Sequence, residues 1–176
     1  MGLAAGDKVG AFKFADQTGK EWKYPEDFQT GKLAIFFLRH LGCPLCKEKI
    51  AELTQAASSF AQLGAKLVAV AQATPKRAAE FSAKANLPFL LAPDREKRLY
   101  ALFQVNRGGF KEFTAPAVLK ANIRATLKGH MHGRFEGDEF QVPAAFLLSG
   151  QGEVLFAHYG KDISDFGDIN ALLAKA

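Results

Sequence analysis

The sequence predicts an α/β domain built on a largely parallel sheet. Two apolar runs, at 33–38 and 66–71, have the character of buried strands. Apolar residues at helical spacing lie between and after them, and proline or glycine marks most boundaries. The resulting order of strand, helix, strand, helix, strand, helix implies a parallel core with covering helices. A chain of 176 residues suits one domain with a full core.

The elements follow in order. Ala11-Phe12-Lys13-Phe14-Ala15 alternates apolar and polar, Asp16-Gln17-Thr18-Gly19 makes a glycine-containing loop, and Glu21-Trp22-Lys23-Tyr24 completes a hairpin. The 33–38 run, with aromatic members, reads as a strand buried on both faces. Cys46, Ile50, Leu53, Ala57, Phe60 and Ala61 then keep helical spacing; Pro44 suits the first helical position and Gly64 the stop. After the 66–71 strand, Thr74 caps a helix that Pro75 opens, running to Ala85 with Asn86 near its end. Residues 89–91 form a short strand, and Asp94 is placed to cap a helix reaching Phe103.

The pattern loosens between Gln104 and Gln141. Gly108-Gly109 breaks the chain, 115–128 reads as a helix with Leu119, Ile123 and Leu127 on one side, and 130–138 is loop. This stretch is too short for its own core, so it is read as a helical insertion at 104–141 within one domain spanning 1–176. Val142-Pro143 leads into a strand at 144–148. Ser149-Gly150-Gln151-Gly152 turns the chain into an antiparallel partner at 153–158, and an amphipathic helix at 166–174 follows.

Composition bounds the function. Hydrophobic residues at 48% and charged residues at 23% are ordinary globular values, and sixteen phenylalanines against one tryptophan indicate a bulky core. No apolar run approaches the roughly 20 residues of a membrane helix, and the start lacks a basic region followed by an apolar stretch. Gly6 stands where a myristoylation signal needs Ser or Thr. A cytoplasmic protein without a membrane partner is expected. The net charge of +5 matches the excess carried by Arg107, Lys111, Lys120, Arg124, Lys128 and Arg134 against Glu112. Such a run reads first as a solvated face; an anionic partner is the sharper alternative. The basic residues are not interleaved with a recognisable nucleic-acid motif, so no nucleic-acid partner is expected.

The chemistry lies at Cys43-Pro44-Leu45-Cys46, which contains both cysteines of the chain. On a helix, that spacing makes the thiols neighbours on one face. Cys43 stands where the helix begins, so unpaired N–H groups and the positive dipole end face its sulfur and favour the thiolate. Cys43 would attack and Cys46, one turn on, would close a disulfide. Arg39 and His40, just before the turn, are candidate supports; a guanidinium there would lower the thiol pKa and hold an oxyanion. Lys47 and Lys49 add charge nearby and are read as solvated. His158 is read as structural. A zinc site needs four ligands, and the pair with His130 and His132 resembles no standard spacing. No metal or other cofactor is expected.

These residues also carry a resemblance. The run Phe37-Leu38-Arg39-His40-Leu41-Gly42-Cys43-Pro44-Leu45-Cys46 resembles the peroxiredoxin-like branch of the alkyl hydroperoxide reductase/thiol-specific antioxidant superfamily. So do Leu87-Pro88-Phe89 with Asp94, Val142-Pro143, Gly150-Gln151-Gly152 and Ala157-His158-Tyr159-Gly160. The resemblance implies a thioredoxin-like three-layer fold: a central mixed sheet with an N-terminal β-hairpin and the helical insertion. It also implies a cis Pro143 facing Cys43, with the Val142 backbone available to a substrate. The implied activity is a thiol peroxidase. Its substrate would be a hydroperoxide, or a disulfide in a thioredoxin-like or glutaredoxin-like alternative, and its reductant of thioredoxin or glutathione type. A homodimer is compatible with it. Typical members carry Pro-x-x-x-Thr-x-x-Cys; here Phe36 and His40 occupy the proline and threonine positions. Polarising the O–O bond would therefore fall to His40 or Arg39. A redox- or metal-sensing binding module is the non-enzymatic alternative.

Overall fold

The apolar runs become adjacent strands of one sheet. A computed structural model describes residues 2–110, 114–131, 133 and 136–176. Lys111, Glu112, His132 and Arg134 lie outside the described residues, as do the readings made of them. An outlying antiparallel hairpin joins β1 (Phe12–Ala15) to β2 (Glu21–Tyr24). The sheet holds β3 (Lys32–Phe37), β4 (Ala65–Ala71), β5 (Leu90–Pro93), β6 (Ala144–Ser149) and β7 (Val154–Tyr159). Its order is β5-β4-β3-β6-β7. β3, β4 and β5 are parallel, and β6 and β7 add antiparallel, which makes the sheet mixed.

The helices are α1 (Pro44–Gln62), α2 (Pro75–Ala85), α3 (Arg98–Leu102), α4 (Pro116–Leu127) and α5 (Ile169–Leu173). Local signals set their ends. The Thr74 hydroxyl accepts the Arg77 N–H at 3.2 Å, and Asn86 closes α2 in the left-handed region at φ 48°. Asp94 does cap α3, its carboxylate accepting the N–H groups of Arg98 and Leu99 at 2.9 and 2.8 Å. It does so from further out than expected, so α3 starts at Arg98. The last helix is likewise shorter than 166–174, because Asp168 caps it at Asn170.

Central β3 is buried on both faces, as its continuous apolar run requires. Ala34, Phe36 and Leu38 join α1, α4 and α5 in one core. Leu33, Ile35 and Phe37 point to the other, under the hairpin and α3. There the phenylalanines collect: Phe37 meets Tyr100, Phe103 and Phe146 at ring-centre distances of 5.1, 5.1 and 5.8 Å. Edge and tilted geometries of this kind add to the area term. The Tyr100 hydroxyl donates to the carbonyls of Leu38 and Val70 and ties α3 to the strand ends that carry the cysteine turn.

One expectation is made more specific and one needs revision. On α4, Leu119, Ile123 and Leu127 do share a side, but it is the outer one; Val118, Ala121 and Ala125 are buried. Small residues let α4 lie close to α1, where the larger stripe would hold it off. The Val142–Pro143 bond is not cis: among the described residues the cis bond is Tyr24–Pro25. Ala144 pairs with Tyr159, and the Pro143 carbonyl prolongs that ladder by accepting the Gly160 N–H at 2.8 Å. An extended trans proline at strand entry suits this continuation.

Candidate active site

β3 delivers the site at its carboxyl end, where the parallel ladder runs one step beyond the strand. Leu38 N–H donates to the Val70 carbonyl at 2.8 Å, and Gln72 N–H to the Arg39 carbonyl at 3.1 Å. The chain then turns sharply. Cys43 N–H donates to the His40 carbonyl at 3.3 Å, and Gly42 N–H donates to His40 Nδ1 at 3.2 Å. Cys43 is thereby set as the N-cap of α1, extended at φ −70° and ψ 129°, with Pro44 in the first turn. Its Sγ accepts the Cys46 N–H at 3.4 Å, as a capping oxygen would.

Arg39 closes the constellation. Its Nη2 donates to Cys43 Sγ at 2.7 Å, and its backbone N–H donates to Cys46 Sγ at 3.3 Å. Both cysteines are free thiols and fully buried. Burial alone would push the Cys43 thiol up. The hydrogen bond with Cys46, the Arg39 charge and the helix-end N–H outweigh it and bring the thiol down to about 5. For Cys46, burial, the hydrogen bond with Cys43 and the neighbouring negative sulfur all push the pKa well above the ordinary range. Burial works against the Arg39 charge, but Cys43, Cys46 and Glu139 hold it in place. The two thiols are therefore driven apart, Cys43 toward the thiolate and Cys46 toward the neutral form.

Both ring nitrogens of His40 are engaged by the protein. Its Nδ1 is taken by Gly42 N–H, which leaves the ring proton on Nε2, and Nε2 lies 2.8 Å from Glu139 Oε1. His40 therefore shapes the turn, and Arg39 is the group at the sulfur. Val142 shares the buried cluster of the two cysteines, yet its carbonyl accepts the Gln141 side-chain amide at 3.3 Å. The lysines also differ from expectation. Lys49 is buried and pairs with Glu52 at 2.6 Å. Lys47 Nζ donates to the Met131 carbonyl at 2.8 Å.

That last bond is one of several that the described residues between 131 and 139 make around the site. Gly133 N–H donates to the Gly42 carbonyl at 2.8 Å, and Asp138 N–H to Gln72 Oε1 at 2.9 Å. Arg39 Nη1 donates to both the carbonyl and the carboxylate of Glu139, at 2.5 and 3.3 Å. Gly137 sits so close that a Cβ there would lie 3.0 Å from Gln72 Oε1 and 3.3 Å from the His40 Cβ. Sequence reasoning missed Glu139. The one available signal was an acidic triplet, Glu136, Asp138 and Glu139, at the end of an otherwise basic stretch.

Among the described residues of the basic insertion, Arg107, Arg124 and Lys128 are paired within the chain. Arg107 Nε donates to both carboxylate oxygens of Asp138, at 3.0 and 2.8 Å. Arg124 and Lys128 grip Glu48 at 2.9 and 2.7 Å, and the Arg124 hydrogen bond first, then Lys128, draw the Glu48 carboxyl down to about 2. Glu48→Ala is expected to cost about 1–2 kcal/mol, seen as a lower thermal midpoint, because it unties α4 from α1 while both cations return to water. An unchanged midpoint would mean that packing of Val118, Ala121 and Ala125 alone holds α4. Among the described residues, no group of three or more His, Cys, Asp or Glu could hold a metal ion, and no helix is long and apolar enough to cross a membrane.

Comparison with known proteins agrees with this architecture. The chain is 23% identical over 175 residues to peroxiredoxin-like 2C of Bos taurus, covering 94% of this chain and 76% of that protein. The structure superposes on peroxidoxin BcpB from Mycobacterium tuberculosis with a TM-score of 0.72 at 18% identity, over 98% and 96% of the two chains. On peroxiredoxin Q of Xanthomonas campestris the TM-score is 0.67 at 20% identity, over 93% and 87%. The family model for the AhpC/TSA antioxidant enzyme matches residues 52–162, from within α1 through β7, beginning after the Cys-x-x-Cys turn. With most of its length in that match and the thioredoxin-like sheet of the peroxiredoxins, the chain belongs to the AhpC/TSA antioxidant enzyme family.

Proposed function

We propose that this protein is a thiol peroxidase in which Cys43 is the attacking thiolate and Cys46 the resolving thiol. The observation that carries the reading is the Arg39 guanidinium, 2.7 Å from Cys43 Sγ through Nη2. Its Nε is buried and, among the described residues, without a hydrogen-bond partner. Nε and Nη2 share one edge of the planar guanidinium, so one N–H is on the sulfur and its neighbour is open to an oxygen beside it. A hydroperoxide seated there would be polarised by that edge, the role that the threonine position, here His40, does not fill.

The thiolate attacks the terminal peroxide oxygen, an S–O bond forms and the O–O bond breaks. The departing alkoxide, held by the guanidinium, takes a proton and leaves as the alcohol (water, if the substrate is hydrogen peroxide). Cys43 is then a sulfenic acid. The Cys46 thiol attacks Cys43 Sγ, the S–O bond breaks, and hydroxide leaves as water with the Cys46 proton. The Cys43–Cys46 disulfide is returned to two thiols by an external reductant of thioredoxin or glutathione type, itself oxidised to its disulfide. A reducing compartment such as the cytoplasm suits this cycle, since it keeps both thiols available. We read 1–176 as one domain in which the 104–141 insertion covers the reacting sulfur.

The alternative, exchange with protein disulfides, is supported by the split between the low Cys43 and high Cys46 pKa. Full burial of both sulfurs favours a small oxidant over a protein disulfide. Single-turnover oxidation by hydrogen peroxide and an organic hydroperoxide tests the two. Fast thiol loss is expected in wild type and none in Cys43→Ser, with a sulfenic acid trapped in Cys46→Ser. Rates no better than free cysteine, with peptide disulfides reacting faster, would replace the peroxidase reading by the exchange reading.

A further inference from the structure

We propose that Glu139 is a positioning residue for Cys43: delivered by the loop at 136–141, it holds the Arg39 guanidinium on the sulfur and His40 on the turn. Seating of that loop and reactivity of the thiol are then one event. The inference rests on Cys43 being the reacting thiol.

Three contacts converge on this residue. Its main-chain carbonyl and one carboxylate oxygen both accept from Arg39 Nη1, at 2.5 and 3.3 Å. Its other carboxylate oxygen lies 2.8 Å from His40 Nε2. Arg39 is 3% exposed and Glu139 has a 21% exposed side chain, so the clasp is largely shielded from water. Arginine has a long, rotamer-rich side chain, and fixing its fork on a single sulfur needs a second point of attachment. Glu139 supplies that point on the Nη1 side, which leaves the Nε–Nη2 edge toward Cys43. Through His40, whose Nδ1 accepts the Gly42 N–H, the same carboxylate also braces the turn that presents the thiol.

Electrostatics separates positioning from a bare charge effect. Arg39 and the Cys46 thiol face Cys43 directly, Tyr100 lies by Cys46, and Glu139 and His40 stand behind Arg39. A carboxylate acting only as a charge disfavours a nearby thiolate, so its removal would lower the Cys43 pKa. A carboxylate that aims the guanidinium has the opposite effect: its removal loosens Arg39 and raises the Cys43 pKa. The two roles predict opposite signs.

The test is the pH profile of iodoacetamide alkylation of Cys43, read in a Cys46→Ser parent and in the same parent carrying Glu139→Ala or Glu139→Gln. No peroxide is needed, so peroxidase turnover does not enter. The inflection is expected to rise by about one to two pH units in Glu139→Ala. It should rise less in Glu139→Gln, which keeps the volume and one acceptor for Nη1. An inflection unmoved or lowered in Glu139→Ala overturns the positioning role and leaves Cys43 as the nucleophile. A parent that titrates like an ordinary thiol overturns both. Circular dichroism and a thermal melt accompany each variant. If Glu139→Ala fails to fold, Glu139→Gln decides alone: a rise supports the inference, and no change or a fall overturns it.

Discussion

Replacing Arg39 by glutamine is expected to slow oxidation of Cys43 by hydrogen peroxide at pH 7 by at least about a hundredfold. The reason is largely ionisation. With its thiol near 5, Cys43 is almost wholly thiolate at neutral pH; returned to its ordinary value of 9.0, about one part in a hundred would be. Loss of the Nε–Nη2 edge as an oxygen donor would add a further factor of about ten to a hundred. The pH dependence divides the two. If the variant recovers wild-type rates at high pH, Arg39 acts only through the sulfur; if it stays slow, the guanidinium also holds the peroxide. Arg39→Lys should rescue poorly, since a compact ammonium cannot meet the sulfur and Glu139 together. A rate for Arg39→Gln within about threefold of wild type would remove Arg39 from the mechanism. The low thiol pKa also links redox state to stability. A group whose folded pKa is depressed stabilises the fold above its unfolded value, here 9.0, and that contribution is lost as pH falls through about 5. Reduced wild type should therefore lose more stability than Cys43→Ser between those limits.

Truncating Phe37 to alanine is expected to cost about 3–5 kcal/mol in denaturant unfolding, the range for a large aromatic removed from a packed core. Phe37 is fully buried and lies against the rings of Tyr100, Phe103 and Phe146, so the cavity would open where three elements meet and none can simply close in. It is also the last residue of β3, two before Arg39, so the loss should reach the site as slower alkylation of Cys43 in the folded variant. Leu127→Ala is the matched control. At 83% exposed, it should shift stability by less than about 0.5 kcal/mol, although Leu127 also belongs to an apolar stripe. Equal costs for the two would contradict the inward and outward assignment of α4 and the aromatic cluster alike.

The elements around the cysteine turn were legible in the chain because their causes are local. An apolar run, Pro44 at a helix start, Thr74 and Asp94 as caps and Gly64 as a stop each act within a few residues, so the order of strands and helices needed no tertiary knowledge. The placing of Cys43 at the head of α1 follows from the same signals. Arg39 was a fair candidate for the same reason, being four residues from the sulfur it meets.

What the tertiary structure alone decided are relations across distance. Glu139 lies 100 residues from Arg39, and nothing in its neighbours says that a loop folds back to bring it there. His40 stood beside the cysteine turn in the sequence, yet its direction was set by Gly42 on one side and Glu139 on the other. Pro143 stayed trans because the ladder with Gly160 continues through it, a pairing that no local preference reveals. The outward stripe of α4 depended on which helix it met. The sequence by itself determined the fold class and the placing of the cysteine pair at the head of α1, since backbone geometry and helix-end electrostatics are short-ranged. The partners that aim and cover that pair required the fold, because a buried charge is placed by whatever the folded chain brings against it.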